Sequence, residues 1–228
     1  SGTYMMIGVV LLVLLVIIFF TRMPADRDTS GRWDFKATLG RLWKNKRYRY
    51  GVIAQFFYVG AQTCVWSFTI RLAMHRMGIL EKEASMMFLY SILAFTAFRF
   101  LFTWLMKYVR PIYLLAGASV VAIVTCAGVL LPDDCIAVTA LISVSAAMSL
   151  MFPTIYGIAL DGIHGDDTKI AASGLIMAIL GGAVITPVQA AVSDHLGITL
   201  SFIVPLFCFA VILLYSAGII KSAKNSLK

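Results

Sequence analysis

Two glutamines and a tryptophan sit in an apolar run where lipid would ask for neither. The stretch FYVGAQTCVW, Phe57 to Trp66, carries Tyr58, Gln62, Thr63 and Trp66, and Gln55 lies just upstream. At about 100° per residue, Gln55, Gln62, Trp66 and Thr69 fall within about 60° of one another on a helix, with Tyr58 at the edge of that stripe. Between them stand Phe56, Val59, Val65 and Phe68, which suit lipid or packing. Polar residues at membrane depth usually face a bundle interior or a water-filled cavity. Neutral amides donate and accept, and aromatic rings stack on apolar faces, so such a lining suits an uncharged polyhydroxyl ligand. Gln55, Tyr58, Gln62 and Trp66 are therefore candidate substrate contacts. A second reading stays open: amides in membranes also join helices, for ~1 kcal/mol.

A later apolar run repeats the pattern. Ser145, Ser149, Phe152 and Tyr156 share a helical face, which adds Phe152 and Tyr156 to the candidate contacts. Pro153 lacks an N–H and permits a kink or hinge. The next run holds GGAVITP, Gly181 to Pro187, with Gly174, Ala178 and Gly182 at a spacing that lets helices approach closely. Gly181, Gly182 and Pro187 are candidates for a bend or gate. Arg99 is the one charge deep in a run, and a guanidinium there costs at least ~2.5 kcal/mol on insertion scales. It either pairs or gates within the pathway, or snorkels to the nearer interface.

Other chemistry is missing. All eleven Asp and Glu fall in connectors or at the ends of apolar runs. Proton coupling needs a titratable group in the pathway, so any coupling carboxylate is expected outside this chain. Cys64, Cys126, Cys135 and Cys208 form no CxxC pair, and His75, His164 and His195 stand singly, so no metal site and no cofactor is expected. No nucleophile–base set or paired carboxylates share a run, and an enzyme is the least favoured class.

The elements that must position these residues are apolar helices. The 228 residues are 61% hydrophobic and 13% charged, with mean hydropathy +0.91, against ~25% charged for a soluble domain. Seven runs are long enough to cross a bilayer, near 4–20, 51–75, 84–109, 112–132, 136–160, 172–192 and 200–220. None alternates as a barrel strand would. The first lacks a basic n-region and a cleavage site, so it is not a signal peptide. The expected fold is an all-α membrane protein of seven transmembrane helices.

Charge supplies the orientation. The 21–50 connector alone holds nine Lys and Arg. Counting alternate connectors, one side of the membrane carries 15 basic residues and the other 3, with Arg99 between. The positive-inside rule then puts 21–50 and the C-terminus in the cytoplasm. The net charge of +8 sits in connectors, which speaks for a membrane surface and against nucleic acid. Within the connector, Phe35, Leu39, Leu42 and Trp43 oppose Lys36, Arg41, Lys44 and Lys46, the pattern of a short helix at the membrane surface.

One helix, a long basic connector and six more helices match the middle of a transporter built from two six-helix halves. On that layout 1–20 is the last helix of a missing N-terminal half, 21–50 the cytoplasmic connector, 51–220 a C-terminal six-helix bundle and 221–228 a cytoplasmic tail. The chain begins at Ser1 without a methionine and is expected to be a fragment.

AQFFYVGAQTCVWSFTIR, FRFLFTWL, MSLMFPTIYGIAL and GGAVITPVQAAVSD together resemble the L-fucose:proton symporter family of the major facilitator superfamily, over nearly the whole chain. The resemblance implies a multi-pass permease of a bacterial inner membrane that takes up L-fucose or a related hexose with protons by alternating access. Its implied partners are the bilayer, the N-terminal half, sugar and proton, with the proton-handling carboxylates in that other half. Gln62 and Trp66 match the family's VGAQTxxW motif, and Arg99 its Gly-Arg-Phe, although Ala97-Phe98 precede the arginine here. The family's Gln-Tyr-Pro-Thr-Ile is Met151-Phe152-Pro153-Thr154-Ile155 in this chain, which removes a hydroxyl and leaves the exact sugar open. Two other expectations remain: a facilitator or exporter of another solute, and a non-transporting scaffold or sensor derived from half a transporter.

Overall fold

The computed structural model describes residues 35–225, together with helical positions 6, 8, 9, 12, 13 and 15–17. Apart from those positions, the expected first span 4–20 lies outside the described residues, as do connector residues 21–34 and tail residues 226–228. Contacts divide the chain into Ser1–Phe35 and Lys36–Lys228, and the second unit holds the bundle.

Its elements are α1 (Phe35–Lys44), α2 (Lys46–Met77), α3 (Glu81–Leu105), α4 (Pro111–Gly128), α5 (Asp134–Met148), α6 (Met151–Leu160), α7 (Asp166–Met177), α8 (Leu180–Leu196) and α9 (Ile203–Asn225), the last preceded by a 3-10 turn at Leu200–Phe202. The ends follow local chemistry. The Asn45 side chain accepts from the N–H of Arg47 at 3.0 Å and caps α2. Gly78, at φ 61°, ends α2 in the left-handed region that glycine alone enters freely. Pro111 opens α4, where its missing N–H is no loss. The Asp133 carboxylate caps α5 through the Ile136 N–H at 3.0 Å.

Five segments are long and apolar enough to cross a membrane: α3, α4, α5 with α6, α7 with α8, and Leu200–Ala223. The long α2 is not among them. Its 32 residues would reach about 48 Å at 1.5 Å per residue. Its polar stripe and its basic first turns lower its hydropathy. It is also the hub of the bundle, touching α3, α5, α6, α7, α8 and α9. A helix wrapped by its neighbours does not need a lipid-compatible surface all round. Of the seven expected spans, then, five are long and apolar enough to cross a membrane among the described residues, and α2 is long but less apolar.

Two expected spans are broken. The run 136–160 is α5 and α6, separated at Ser149-Leu150. Pro153 cannot donate to Ser149, four residues back, and its ring crowds that carbonyl, so the break falls one turn before the proline. The Ser149 hydroxyl donates instead to the Ala146 carbonyl at 2.7 Å. The run 172–192 is α7 and α8, separated at Ala178-Ile179. Here the break lies ahead of the glycines and not at Pro187, which stays inside α8. The N–H groups of Gly181 and Gly182 reach back only three residues, to Ala178 and Ile179, at 3.0 Å each.

The connector helix α1 forms as expected, but its apolar residues do not share one environment. Leu42 is buried in a small core with Tyr48, Ala159, Ala171 and Leu175, while Leu39 and Trp43 are exposed. The Phe35 side chain lies outside the described residues. What turns the helix is Asp167. Arg41 donates to both its oxygens, at 3.1 and 2.7 Å, and Thr38 donates to it at 3.1 Å. Such a fork on a carboxylate is geometrically demanding. The Arg41 hydrogen bonds hold the Asp167 carboxyl below its ordinary pKa; burial opposes them and Thr38 assists. Asp167 sits at the very end of a 30-residue helical segment, beyond the ~20 residues that hydrocarbon needs.

Candidate functional site

The polar stripe of α2 is sorted by its neighbours. Gln55 is fully buried, and neither its amide nitrogen nor its amide oxygen has a hydrogen-bond partner among the described residues. Tyr58 is also fully buried, and its hydroxyl donates to the Met148 carbonyl at 3.0 Å. That bond ties α2 to the last residue of α5, next to the break. Thr69 is buried and donates to Val65 in its own helix at 2.6 Å. Gln62 and Trp66 are half-buried, and the Trp66 indole N–H is buried without a partner. Buried polar atoms are nearly always satisfied, so the orphans on Gln55 and Trp66 mark α2, as single ones on Ser145, Gln189 and Tyr215 mark α5, α8 and α9.

Aromatic rings flank the stripe on both sides. On α3, Phe95 and Phe88 meet Trp66 edge-on, at 5.2 and 6.4 Å between centroids. On α6, Phe152 meets Tyr58 edge-on at 6.0 Å and stacks on Tyr156 at 6.5 Å with 9° between planes. These are attractive geometries for rings. Phe152 and Tyr156 are half-buried, while Pro153 and Gly157 on the same helix are exposed. Arg99 follows Phe95 by one turn of α3 and is exposed. It forms no ion pair with a described residue.

Gly181 and Gly182 are drawn against α2. A Cβ on Gly181 would strike the Phe56 carbonyl, and one on Gly60 would strike Ile185. Only glycine permits this approach. Beside it the Thr186 hydroxyl donates to the Thr63 hydroxyl at 3.2 Å. Pro187 is exposed.

The structure thus gathers Tyr58, Phe152 and Tyr156 on one side of α2 and sets Trp66 against Phe88 and Phe95 of α3, while Gln62 is half-buried and Arg99 exposed. Gln55 is sealed within the packing, and Gly181 and Gly182 form a helix contact. Three participants were missed from sequence. Phe88 and Phe95 carry no signal in an apolar run. Gln189 could have been found by the reasoning applied to Gln62; it is fully buried, and its amide donates to Ser201 at 3.3 Å. Among the described residues no group of three His, Cys, Asp or Glu could hold a metal ion. These residues offer neutral hydrogen-bonding groups and ring surfaces, which is chemistry for holding a hydroxylated ligand.

No family model matches the chain. It is 38% identical over 93% of its length to an L-fucose-proton symporter of Haemophilus influenzae, and 33% identical over 97% to one of Escherichia coli. It is also 32% identical over 89% to a glucose/galactose transporter of Brucella abortus. The chain spans about half the length of these relatives, 51%, 52% and 49% respectively. Among solved structures it is similar to a variant of the E. coli fucose:proton symporter FucP, with TM-score 0.85 and 34% identity over 95% of this chain and 54% of that one. It is also similar to the major facilitator superfamily transporter FucP in the outward conformation, with TM-score 0.83 over 94% of this chain and 53% of that one.

Proposed function

We propose that this chain, a homologue of the L-fucose-proton symporters, forms the C-terminal part of a multi-pass sugar:proton symporter of a bacterial inner membrane. Residues 1–20 close a preceding six-helix half, 21–50 form the cytoplasmic connector, 51–220 the second half and 221–228 a cytoplasmic tail. The two halves rock about a sugar held near the midplane, and the carboxylates that carry the proton stand on the other half.

The observation that carries this reading is the face of α2. Gln62 and Trp66 offer an amide and an indole N–H without a partner among the described residues, and Phe152 and Tyr156 offer flat ring surface beside Tyr58, one helical turn before Gln62. A hexose has hydroxyls for the first pair and C–H faces for the second. Arg99, the one charge deep in an apolar run, gates or pairs as the halves close. Pro153 supplies the break about which α6 turns. The relatives named for fucose and for glucose/galactose transport support a hexose as the substrate class, and Phe152 leaves its choice to shape and stacking.

The test is proton movement in sealed vesicles holding the full-length protein. Adding L-fucose, L-galactose or D-galactose to de-energised vesicles should alkalinise the medium for at least one sugar. Sugar uptake without any proton movement points to facilitated diffusion. No uptake of any hexose rejects the reading.

A further inference from the structure

Away from the aromatic face, α2 and α9 part to leave a groove of about 600 Å³ at the end of the bundle where α2 begins and α9 ends. Its walls are apolar: Ile53 on α2, and Val211, Leu214 and Ile219 on α9, with Gly218 leaving the floor open. Its rim is cationic. Lys46 and Arg47 line it, and Arg49 lies over the ring of Tyr50, another lining residue, at 5.1 Å. Arg47 pairs with Asp161 at 2.9 Å, with the side chains 42% and 63% exposed, where such a pair is weak and exchangeable. Tyr215 completes the wall. It is more than nine-tenths buried, and its hydroxyl has no partner among the described residues.

We propose that this groove holds one anionic phospholipid, with its headgroup phosphate on Lys46 and Arg47 and an acyl chain along Ile53, Leu214 and Gly218. The charge pattern chooses the occupant. An amphiphile with a negative head and an apolar tail matches a trough that is basic at one end and hydrocarbon along its length. A soluble anion would leave the apolar length unfilled, and a zwitterionic lipid would gain nothing net from the rim. The site does not depend on which solute the protein moves.

Native mass spectrometry of the full-length protein in detergent tests this, with phosphatidylglycerol, phosphatidylethanolamine and inorganic phosphate as probes. Phosphatidylglycerol should be retained about fivefold or more over phosphatidylethanolamine, the preference one basic residue gives near a lipid surface. Lys46→Ala should remove most of that preference. Gly218→Leu should fill the trough and lose the bound lipid, since a Cβ there meets no protein atom within 4 Å and points into open space. Gly117→Leu, equally unobstructed but on α4, should retain it. Equal retention of the two lipids would overturn the proposal. So would unchanged binding in both Lys46→Ala and Gly218→Leu, or displacement of the lipid by millimolar inorganic phosphate.

Discussion

Replacing Gln55 with methionine should make the full-length protein more stable and a poorer sugar binder. The side chain is fully buried, and both amide atoms lack partners. An unsatisfied buried polar group costs about 1–3 kcal/mol. In a bilayer the reference state finds partners too, which brings the figure toward ~1 kcal/mol. Methionine has a similar length and no amide to satisfy. On the scale of about 2–4 °C per kcal/mol for chains of this size, the melting temperature should rise by a few degrees. A thiol-reactive dye reports this directly, because Cys64, Cys126 and Cys208 are buried and become reactive only on unfolding, while exposed Cys135 sets a constant baseline. Sugar affinity, measured on the same sample, should fall about five- to a hundred-fold if the amide turns toward substrate. A more stable variant with unchanged affinity would take Gln55 out of the site. An unchanged or lower melting temperature would mean that the amide is satisfied in the intact protein, and the argument from its orphaned atoms would fail.

Gln62→Ala should weaken sugar binding about five- to a hundred-fold through lost hydrogen bonds, and Trp66→Ala should weaken it through lost ring surface, both read by titration of folded, purified protein. Arg99→Lys should reduce uptake more than Lys82→Ala, because lysine keeps the charge but loses the planar fork; equal rates would mean Arg99 serves only the interface. Gly181→Ala should lower the melting temperature and separate α2 from α8, measured by cross-linking, because its Cβ meets the Phe56 backbone. The Arg41–Asp167 clamp should persist at neutral pH. A carboxyl whose pKa is lowered on folding contributes above its ordinary value, near 4, and lets go as pH falls through the lowered one. Arg41→Gln should move release of α1 to higher pH, seen as earlier exposure of Leu42 to proteolysis or hydrogen exchange.

The stripe on α2 was legible because helical angle follows from sequence alone. What that angle omits is the neighbour. Gln55 and Gln62 lie on one stripe, yet one is sealed and the other half-open, because α3 and α6 cover the helix unevenly. The break at Ser149-Leu150 was readable from Pro153, a local effect. The break at Ala178-Ile179 was not, since Pro187 is absorbed in α8 and the closeness of α2 sets the bend. Arg41 and Asp167 are 126 positions apart, and no local pattern links them. The amphipathic reading of α1 picked out its apolar and basic residues, and the ion pair with Asp167 that ties it to α7 is not part of that pattern.

The glycine contact between α2 and α8 has a consequence for biogenesis. The hub helix lacks the hydropathy of its neighbours and is made before them. About a hundred residues of synthesis separate the end of α2 from the start of α8, and ribosomes add ~5–20 residues per second. For roughly 5–20 s, therefore, the face of α2 at Phe56, Gly60 and Thr63 must be covered by something other than its final partner. Insertion of this chain is not expected to run helix by helix into free lipid. The hub has to wait beside the insertion machinery until the helices that make it membrane-compatible arrive.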